Sequence, residues 1–386
     1  MRLAIVTPRY GADVLGGAET LARGLAQAAA RRGWRVEVWT TCARSHYTWR
    51  NVHPAGQRRH GDVLVHRFPV SRVAPQRHAE LDLLLAEQGV LPVEDQYAWL
   101  ASGAHSPELY AHVTGCAPAC DVVVALPYAA PLVHYAAWAA PERVVLWPCL
   151  HDEPYAYLEP TRLLLESVRG VMFLTPEERD LALRRLRVNP RRTGVVGGGV
   201  ETWPEAADSG AIAGDLLLYV GRLEAGKGVD LLYTYVCRYT DEGGAVRLAV
   251  VGGGPLEPPR HPAIEGHGFV PEEEKRRIYR RALALCQPSL NESFSITAIE
   301  SWLAGRPVLV REACPVTRGH VERSRGGLWF RSYHEFAGAV DWLRSHPELA
   351  TRMGENGRRY ALANYTWPAV LARFGRLLAE WGVARG

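Results

Sequence analysis

The chain has 386 residues, 47% hydrophobic and 22% charged, which is long enough for two domains with full cores and ordinary for a globular protein. A formal net charge of +4 is mild: it allows peripheral contact with an anionic membrane or a phosphate-bearing substrate, and it calls for no nucleic-acid partner. The least charged stretch, 122–141, is interrupted by Pro127, Pro131 and His134, so it reads as a strand and a buried helix rather than a membrane span.

The first apolar run, within MRLAIVTPRYGADV, is too short for a signal peptide and reads as a buried strand. Seven scattered cysteines make no metal-ligand pattern, Cys116 and Cys120 alone forming a weak pair, and read as reduced thiols of a cytoplasmic protein. The basic residues are more informative. Of 45, two are lysine, Lys227 and Lys275. In such a chain a lysine stands out as a compact ammonium where arginine offers a planar fork.

Residues 3–7 read as the first strand and 18–32 as the first helix. Between them Gly16-Gly17 stands just before the helix, where glycines let backbone approach a phosphate closely; a plain turn accounts for them equally well. The dinucleotide spacing G-x-G-x-x-G is absent. A second strand, 35–40, leads into a polar and aromatic stretch, 41–59. There Tyr47 and Trp49 favour packing over stacking on a sugar. A hairpin-like strand at 62–68 is followed by a mostly helical insertion over 69–119. Strands at 121–126 and 144–150 come next, the second ending in His151-Asp152-Glu153. A histidine at the C-terminal end of a parallel strand lies where such folds bind ligands, although an interior, hydrogen-bonded histidine fits that position as well. Strands at 171–175 and 194–196, with Pro176-Glu177-Glu178 opening a helix between them, complete a first domain, 1–200. A linker, 201–214, follows.

The second domain, 215–364, starts with a buried strand at 216–220 that runs into Gly221-Arg222-Leu223-Glu224-Ala225-Gly226-Lys227-Gly228. A guanidinium fork and an ammonium on a glycine-bearing strand–helix turn make a clamp for a diphosphate. A strand at 248–251 with a glycine turn, the segment His267 to Val270 and a helix at 272–282 precede the most informative stretch, 282–310.

That stretch, ALALCQPSLNESFSITAIESWLAGRPVLV, is a strand, a polar turn, a helix and another strand. Ser295 is the expected N-cap, and Gly305 and Pro307 end the helix. Its N-terminus, at Ser295, Ile296 and Thr297, offers unpaired N–H groups that suit a phosphate. Glu292 precedes it and Glu300 lies about a turn and a half inside it. Carboxylates accept from sugar hydroxyls, so phosphate and hydroxyl partners together fit a sugar nucleotide. As two isolated residues they would read as solvated charges; their setting favours the site.

Glu292-x7-Glu300 in this setting resembles the signature of the family-4 retaining glycosyltransferases, which have the GT-B fold. The family more usually has glycines where this chain has Ser293 and Ser295. The turn from Gly221 to Gly228 resembles its second signature, and Gly16-Gly17-Ala18-Glu19 matches its GGAE-like loop. The resemblance covers nearly the whole chain, with its specific motifs mainly in the second half. It implies an α/β fold of two Rossmann-like, doubly wound domains facing a cleft. Residues 365–386 would form a helix crossing back to the first domain. It implies that Glu292 and His151 contact the donor sugar and Glu300 the ribose. Arg222, Lys227, Gly16, Gly17 and the helix start would meet the diphosphate, and Phe269 and Val270 would frame the base.

The expectation is a retaining transferase moving a hexose-like group from a nucleotide diphosphate sugar to a glycan, glycolipid or small-molecule hydroxyl. No cofactor is expected, and with no Asp-x-Asp in the chain no metal is expected either. The protein would be cytoplasmic, at most peripheral at the inner face of a membrane. A sugar-nucleotide epimerase, a phosphorylase or a non-catalytic sugar-nucleotide binder stays open. A nicotinamide-dependent oxidoreductase is disfavoured by the missing fingerprint.

Overall fold

The computed structural model describes residues 1–14, 16–72, 74–203 and 214–383, so the expected linker falls mostly outside the described residues. The chain divides into two compact units: Met1–Gly199 with Trp367–Gly386, and Val200–Thr366.

Unit 1 is built on β1 (Arg2–Val6), β2 (Arg35–Thr41), β3 (Gly56–His60), β4 (Val63–Phe68), β5 (Ser71–Arg72), β6 (Ala104–His105), β7 (Val122–Ala125), β8 (Val144–Leu146), β9 (Gly170–Phe173) and β10 (Thr193–Val195). Its main sheet has the order β10-β9-β8-β7-β1-β2-β4-β3. All pairs are parallel except β3 with β4. Central strands such as β7 are buried along their whole length, as expected for parallel strands covered on both faces. Most of β3 lies in the stretch read as polar and aromatic, where no strand was expected. Its sequence, GQRRH, is exposed throughout, so it has no buried face to write an apolar alternation. It covers the outer edge of β4.

The helix Gly17–Arg31 buries Leu21, Leu25, Ala28 and Ala29. The C-terminal helix Trp367–Glu380 belongs to the same unit. A Cβ on Gly24 would lie 2.2 Å from the Trp367 ring and one on Gly199 2.3 Å from it, so two glycines make room for the indole. Phe374 stacks its edge on Trp147, with ring centroids 5.9 Å apart. The insertion carries helices Pro75–Gln88, Val93–Ser102 and Pro107–Cys116, with a small core of Leu81, Leu85, Leu91, Trp99 and Leu100.

Unit 2 contains β11 (Leu216–Val220), β12 (Arg247–Val251), β13 (Ile264–Gly268), β14 (Ala284–Gln287), β15 (Val308–Arg311) and β16 (Gly327–Phe330). They form a parallel sheet of order β13-β12-β11-β14-β15-β16. The chain runs outward from β11 to β13 and then returns to the other side of β11 as β14. The point where strand order reverses, beyond the C-terminal ends of β11 and β14, is where doubly wound sheets bind ligands. The helix Pro315–Ser324 has no counterpart in the sequence reading. Its buried face includes Thr317, Gly319, His320 and Ser324, so hydrophobic periodicity does not reveal it. Among the described residues no helix is long and apolar enough to cross a membrane.

Candidate functional site

The turn after β11 and the turn after β14 meet because their strands are neighbours. Lys227 Nζ, from the first turn, lies 2.8 Å from Glu292 Oε1 in the second, and both side chains are largely buried. Gly228 makes this approach sterically feasible. It has φ 66°, and a Cβ there would sit 2.6 Å from the carbonyl oxygen of Pro288. Behind the turn, Gly252 has φ 132°, and its Cβ position lies 1.9 Å from the carbonyl oxygen of Gly221. The glycine turn after β12 therefore underlies the cationic one.

Arg222 takes a different partner. Its guanidinium lies on Glu224, with Nη1–Oε2 3.1 Å and Nη2–Oε1 3.0 Å. Its carbonyl oxygen accepts from Tyr219 Oη at 2.7 Å, which fixes the turn's backbone. Burial and the Glu292 charge push the Tyr219 phenol far up, so it remains a donor.

The helix Ile296–Leu303 starts beside this pair. Ser295 holds its N-cap position, as expected, but not by the expected device. Its backbone is left-handed, φ 63°, and its side chain caps no N–H group. Instead Ser295 Oγ accepts from Gln287 Nε2 at 3.2 Å. The same amide nitrogen lies 3.2 Å from Thr297 Oγ1 and 3.5 Å from Glu292 Oε1. A non-glycine residue in this region costs about 1–2 kcal/mol, and the Gln287 bond helps hold it. Glycine, the more usual residue of the resembled family here, suits that φ without strain. Gln287 is a residue the sequence reading passed over. Its signal was a polar side chain closing the buried strand ALCQ.

Glu300 faces the other lysine. Its Oε1 lies 2.9 Å from Lys275 Nζ, and its Oε2 accepts from Tyr279 Oη at 3.0 Å. Burial pulls the Lys275 ammonium down, but the charges of Glu300 and Glu272 outweigh it, so its pKa is raised. Phe269 is 68% exposed. Its ring lies against Gly253, 2.8 Å from a Cβ position there, and Val270 beside it is half-buried.

The remaining candidates stand in unit 1. Gly16 has φ 152°, and its Cβ position lies 2.0 Å from Glu19 Oε2. The Glu19 carboxylate folds back over the turn and pairs with Arg9 in a buried ion pair. Gly17 begins the helix. His151 Nδ1 lies 3.3 Å from Glu153 Oε1, which accepts from Tyr128 Oη at 2.7 Å. The loop before His151 is anchored by Glu178, whose Oε1 accepts from the Leu150 N–H at 2.6 Å and whose Oε2 accepts from the Leu174 N–H. Burial pushes the Glu178 carboxyl up to about 8, against the backbone N–H bonds that pull it down. From sequence, Glu178 was legible only as a helix-start carboxylate.

Unit 2 thus gathers an ammonium with N–H capacity beyond its bond to Glu292, a helix N-terminus and two oriented carboxylates with free lone pairs. That set can bind phosphate at one place and hydroxyls at two others.

Residues 213–360 match the family model for glycosyl transferases group 1. The chain is 29% identical over 260 residues to a D-inositol 3-phosphate glycosyltransferase of Streptomyces bingchenggensis, covering 59% of this chain and 56% of that protein. Against three curated relatives it matches, the chain spans 28%, 42% and 56% of their length. Among solved structures it resembles sucrose-phosphate synthase from Thermosynechococcus elongatus, with TM-score 0.73 and 18% identity over 100% of both chains. It also resembles HepE of Anabaena in complex with UDP-glucose, with TM-score 0.69 and 14% identity over 98% of this chain and 100% of that one. The fold is GT-B, and the likeness to the glycosyl transferases group 1 family lies in residues 213–360.

Proposed function

We propose that the chain is a retaining glycosyltransferase of the family-4 type. It takes a hexose-like group from a nucleotide diphosphate sugar and passes it to an acceptor hydroxyl of a glycan, glycolipid or small molecule. The observation that carries this reading is the Lys227–Glu292 pair at the start of the helix Ile296–Leu303, with Glu300 held by Lys275 and Tyr279 further along. Lys227, Arg222 and the N–H groups at Ser295, Ile296 and Thr297 take the diphosphate. Glu292 accepts from a donor-sugar hydroxyl and Glu300 from the ribose. Phe269 and Val270 frame the base. His151, Gly16 and Gly17 keep the roles the family resemblance implies, in contact with sugar and phosphate. Retention of configuration rests on that resemblance; a cytoplasmic location with at most peripheral membrane contact rests on the scattered cysteines and the mild net charge.

The reaction breaks the anomeric C–O bond, and negative charge develops on the departing diphosphate. Preorganised cations and N–H donors stabilise such charge without reorganisation during the reaction. In this reading they stand in for a divalent metal at the diphosphate. Activity that is the same in EDTA as with added magnesium or manganese is expected. Loss in EDTA with recovery on adding either ion refutes the metal-free step.

The binding test is thermal stability against a panel of nucleoside diphosphates and their sugars. Binding to the native state raises the melting temperature by mass action. One nucleoside diphosphate and its sugars should raise it while NAD(H) does not, and that donor should then support transfer in an acceptor screen. The absence of a shift with every sugar nucleotide refutes the donor site.

A further inference from the structure

Unit 1 carries a second polar cluster that the donor chemistry leaves unused. Glu37 on β2, His66 on β4 and His112 on the helix Pro107–Cys116 converge, with one ligand-type atom from each lying within 4.8 Å of the others. The register explains the convergence. β2 and β4 are parallel with Glu37 opposite Leu64 and Trp39 opposite His66, so Glu37 and His66 are diagonal neighbours on one face of the sheet. The helix Pro107–Cys116 packs over that face, where its Leu109 and Val113 join Trp39 in the core.

The polar accounting is unusual for a protein interior. His66 is only 6% exposed. The Nε2 atoms of both His66 and His112 are buried without a hydrogen-bond partner. Buried nitrogens are normally satisfied, and here His66 Nε2 has only the Glu37 carboxylate beside it, 3.1 Å away, while His112 Nε2 has no partner, so the two need an explanation. An imidazolium–carboxylate pair would account for one of them. A metal ion accounts for both.

The distances suit one. Glu37 Oε2 lies 3.1 Å from His66 Nε2, near the edge of about 3.3 Å that separates nitrogen and oxygen ligands around tetrahedral zinc. The two imidazole rings are 4.8 Å apart. The neighbours act as orienting groups. Trp39 Nε1 donates to Glu37 Oε2 at 2.9 Å, and His112 Nδ1 lies 3.7 Å from Cys116 Sγ, which leaves Nε2 as the nitrogen without a partner. Glu37 is 40% exposed and provides the path in for an ion.

We propose that Glu37, His66 and His112 bind one transition-metal ion of the zinc class, tying β2, β4 and the overlying helix together. Two imidazoles and one carboxylate select this class over magnesium or calcium, which prefer all-oxygen shells. The role is structural: no residue of the cluster is among those assigned to the donor, so the proposal stands or falls independently of the transferase reading.

The test uses the full chain, stripped with a chelator and titrated with zinc chloride by calorimetry. Cobalt chloride replaces zinc for visible absorption. Wild type should take up one equivalent, gain melting temperature, and show the bands of low-coordinate cobalt. His66→Ala and His112→Ala should each bind at least tenfold more weakly, since outer-shell changes alone cost about 10–100-fold. Glu37→Gln, at the exposed edge, gives the same comparison if a histidine variant does not fold. No saturable zinc binding by wild type overturns the proposal. So does one-equivalent binding of unchanged affinity in Glu37→Gln or the folded histidine variants, because the metal then sits elsewhere.

Discussion

Lys227 Nζ stands 2.8 Å from Glu292 Oε1 across 65 residues of sequence, and Lys275 Nζ stands 2.9 Å from Glu300 Oε1 across 25. The chain's two lysines therefore each hold one of the two glutamates that bracket the helix Ile296–Leu303. An ammonium has three N–H donors, so Lys227 can orient Glu292 and still reach a phosphate. In the proposed donor site the pairing would couple sugar recognition to phosphate recognition through one contact.

Lys227→Ala and Glu292→Gln are each expected to lower kcat about 100-fold, the usual loss for one preorganised electrostatic group. The double variant should lose less than the product of the two, with a coupling energy of about 0.5–3 kcal/mol. Nucleoside diphosphate affinity should fall in the lysine variant and hold in the glutamine variant. Steady-state kinetics and calorimetry on the four proteins decide this; strictly additive effects would mean that the two residues act apart.

Glu300→Ala removes a charged acceptor from the proposed ribose site. Hydrogen bonds to charged groups contribute about 1.5–3 kcal/mol, so affinity for the nucleoside diphosphate should drop about 10–100-fold. A deoxyribose analogue lacking the hydroxyl that Glu300 meets should bind both proteins alike. If Glu300→Ala binds the parent nucleotide as well as wild type does, the ribose assignment is wrong.

Gly228→Ala tests the turn geometry. A side chain at φ 66° costs about 1–2 kcal/mol, and its Cβ would also press on the Pro288 carbonyl oxygen at 2.6 Å. The expected result is a chemical-denaturation midpoint lowered accordingly and a turnover loss larger than the stability loss explains, because Lys227 moves with the turn. Normal turnover at reduced stability would separate the glycine from the site.

Glu178 predicts a pH effect. Its carboxyl is raised by burial from 4.5 to about 8. The folded state therefore binds more protons than the unfolded state between those values. Its contribution to stability is complete below about 4.5 and is lost as pH rises through about 8. Over that window the difference in unfolding free energy between wild type and Glu178→Gln should fall by at most about 1.4 kcal/mol per pH unit, the limit for one proton. Denaturation at a series of pH values reads it, and a pH-independent difference would place the Glu178 pKa near its ordinary value. In the same variant, weaker donor turnover with unchanged nucleotide affinity would report on the His151 loop that Glu178 anchors.

What the sequence determined by itself was local. Alternating and continuous apolar runs marked most strands. The glycine and proline punctuation marked the turn from Gly221 to Gly228 and the end of the helix at Gly305. The spacing from Glu292 to Glu300 placed two carboxylates around one helix start. These features depend on neighbours within a few residues, where periodicity and turn chemistry operate. The tertiary structure decided who meets whom. Lys227 reaches Glu292 only because β14 returns to lie beside β11, and Lys275 reaches Glu300 only because the helix Glu272–Arg281 delivers it there. The exposed strand Gly56–His60, the polar-faced helix Pro315–Ser324, the left-handed Ser295 held by Gln287, and the convergence of Glu37, His66 and His112 were likewise invisible. Each is fixed by partners distant in sequence, and no local pattern encodes the order in which parallel strands assemble.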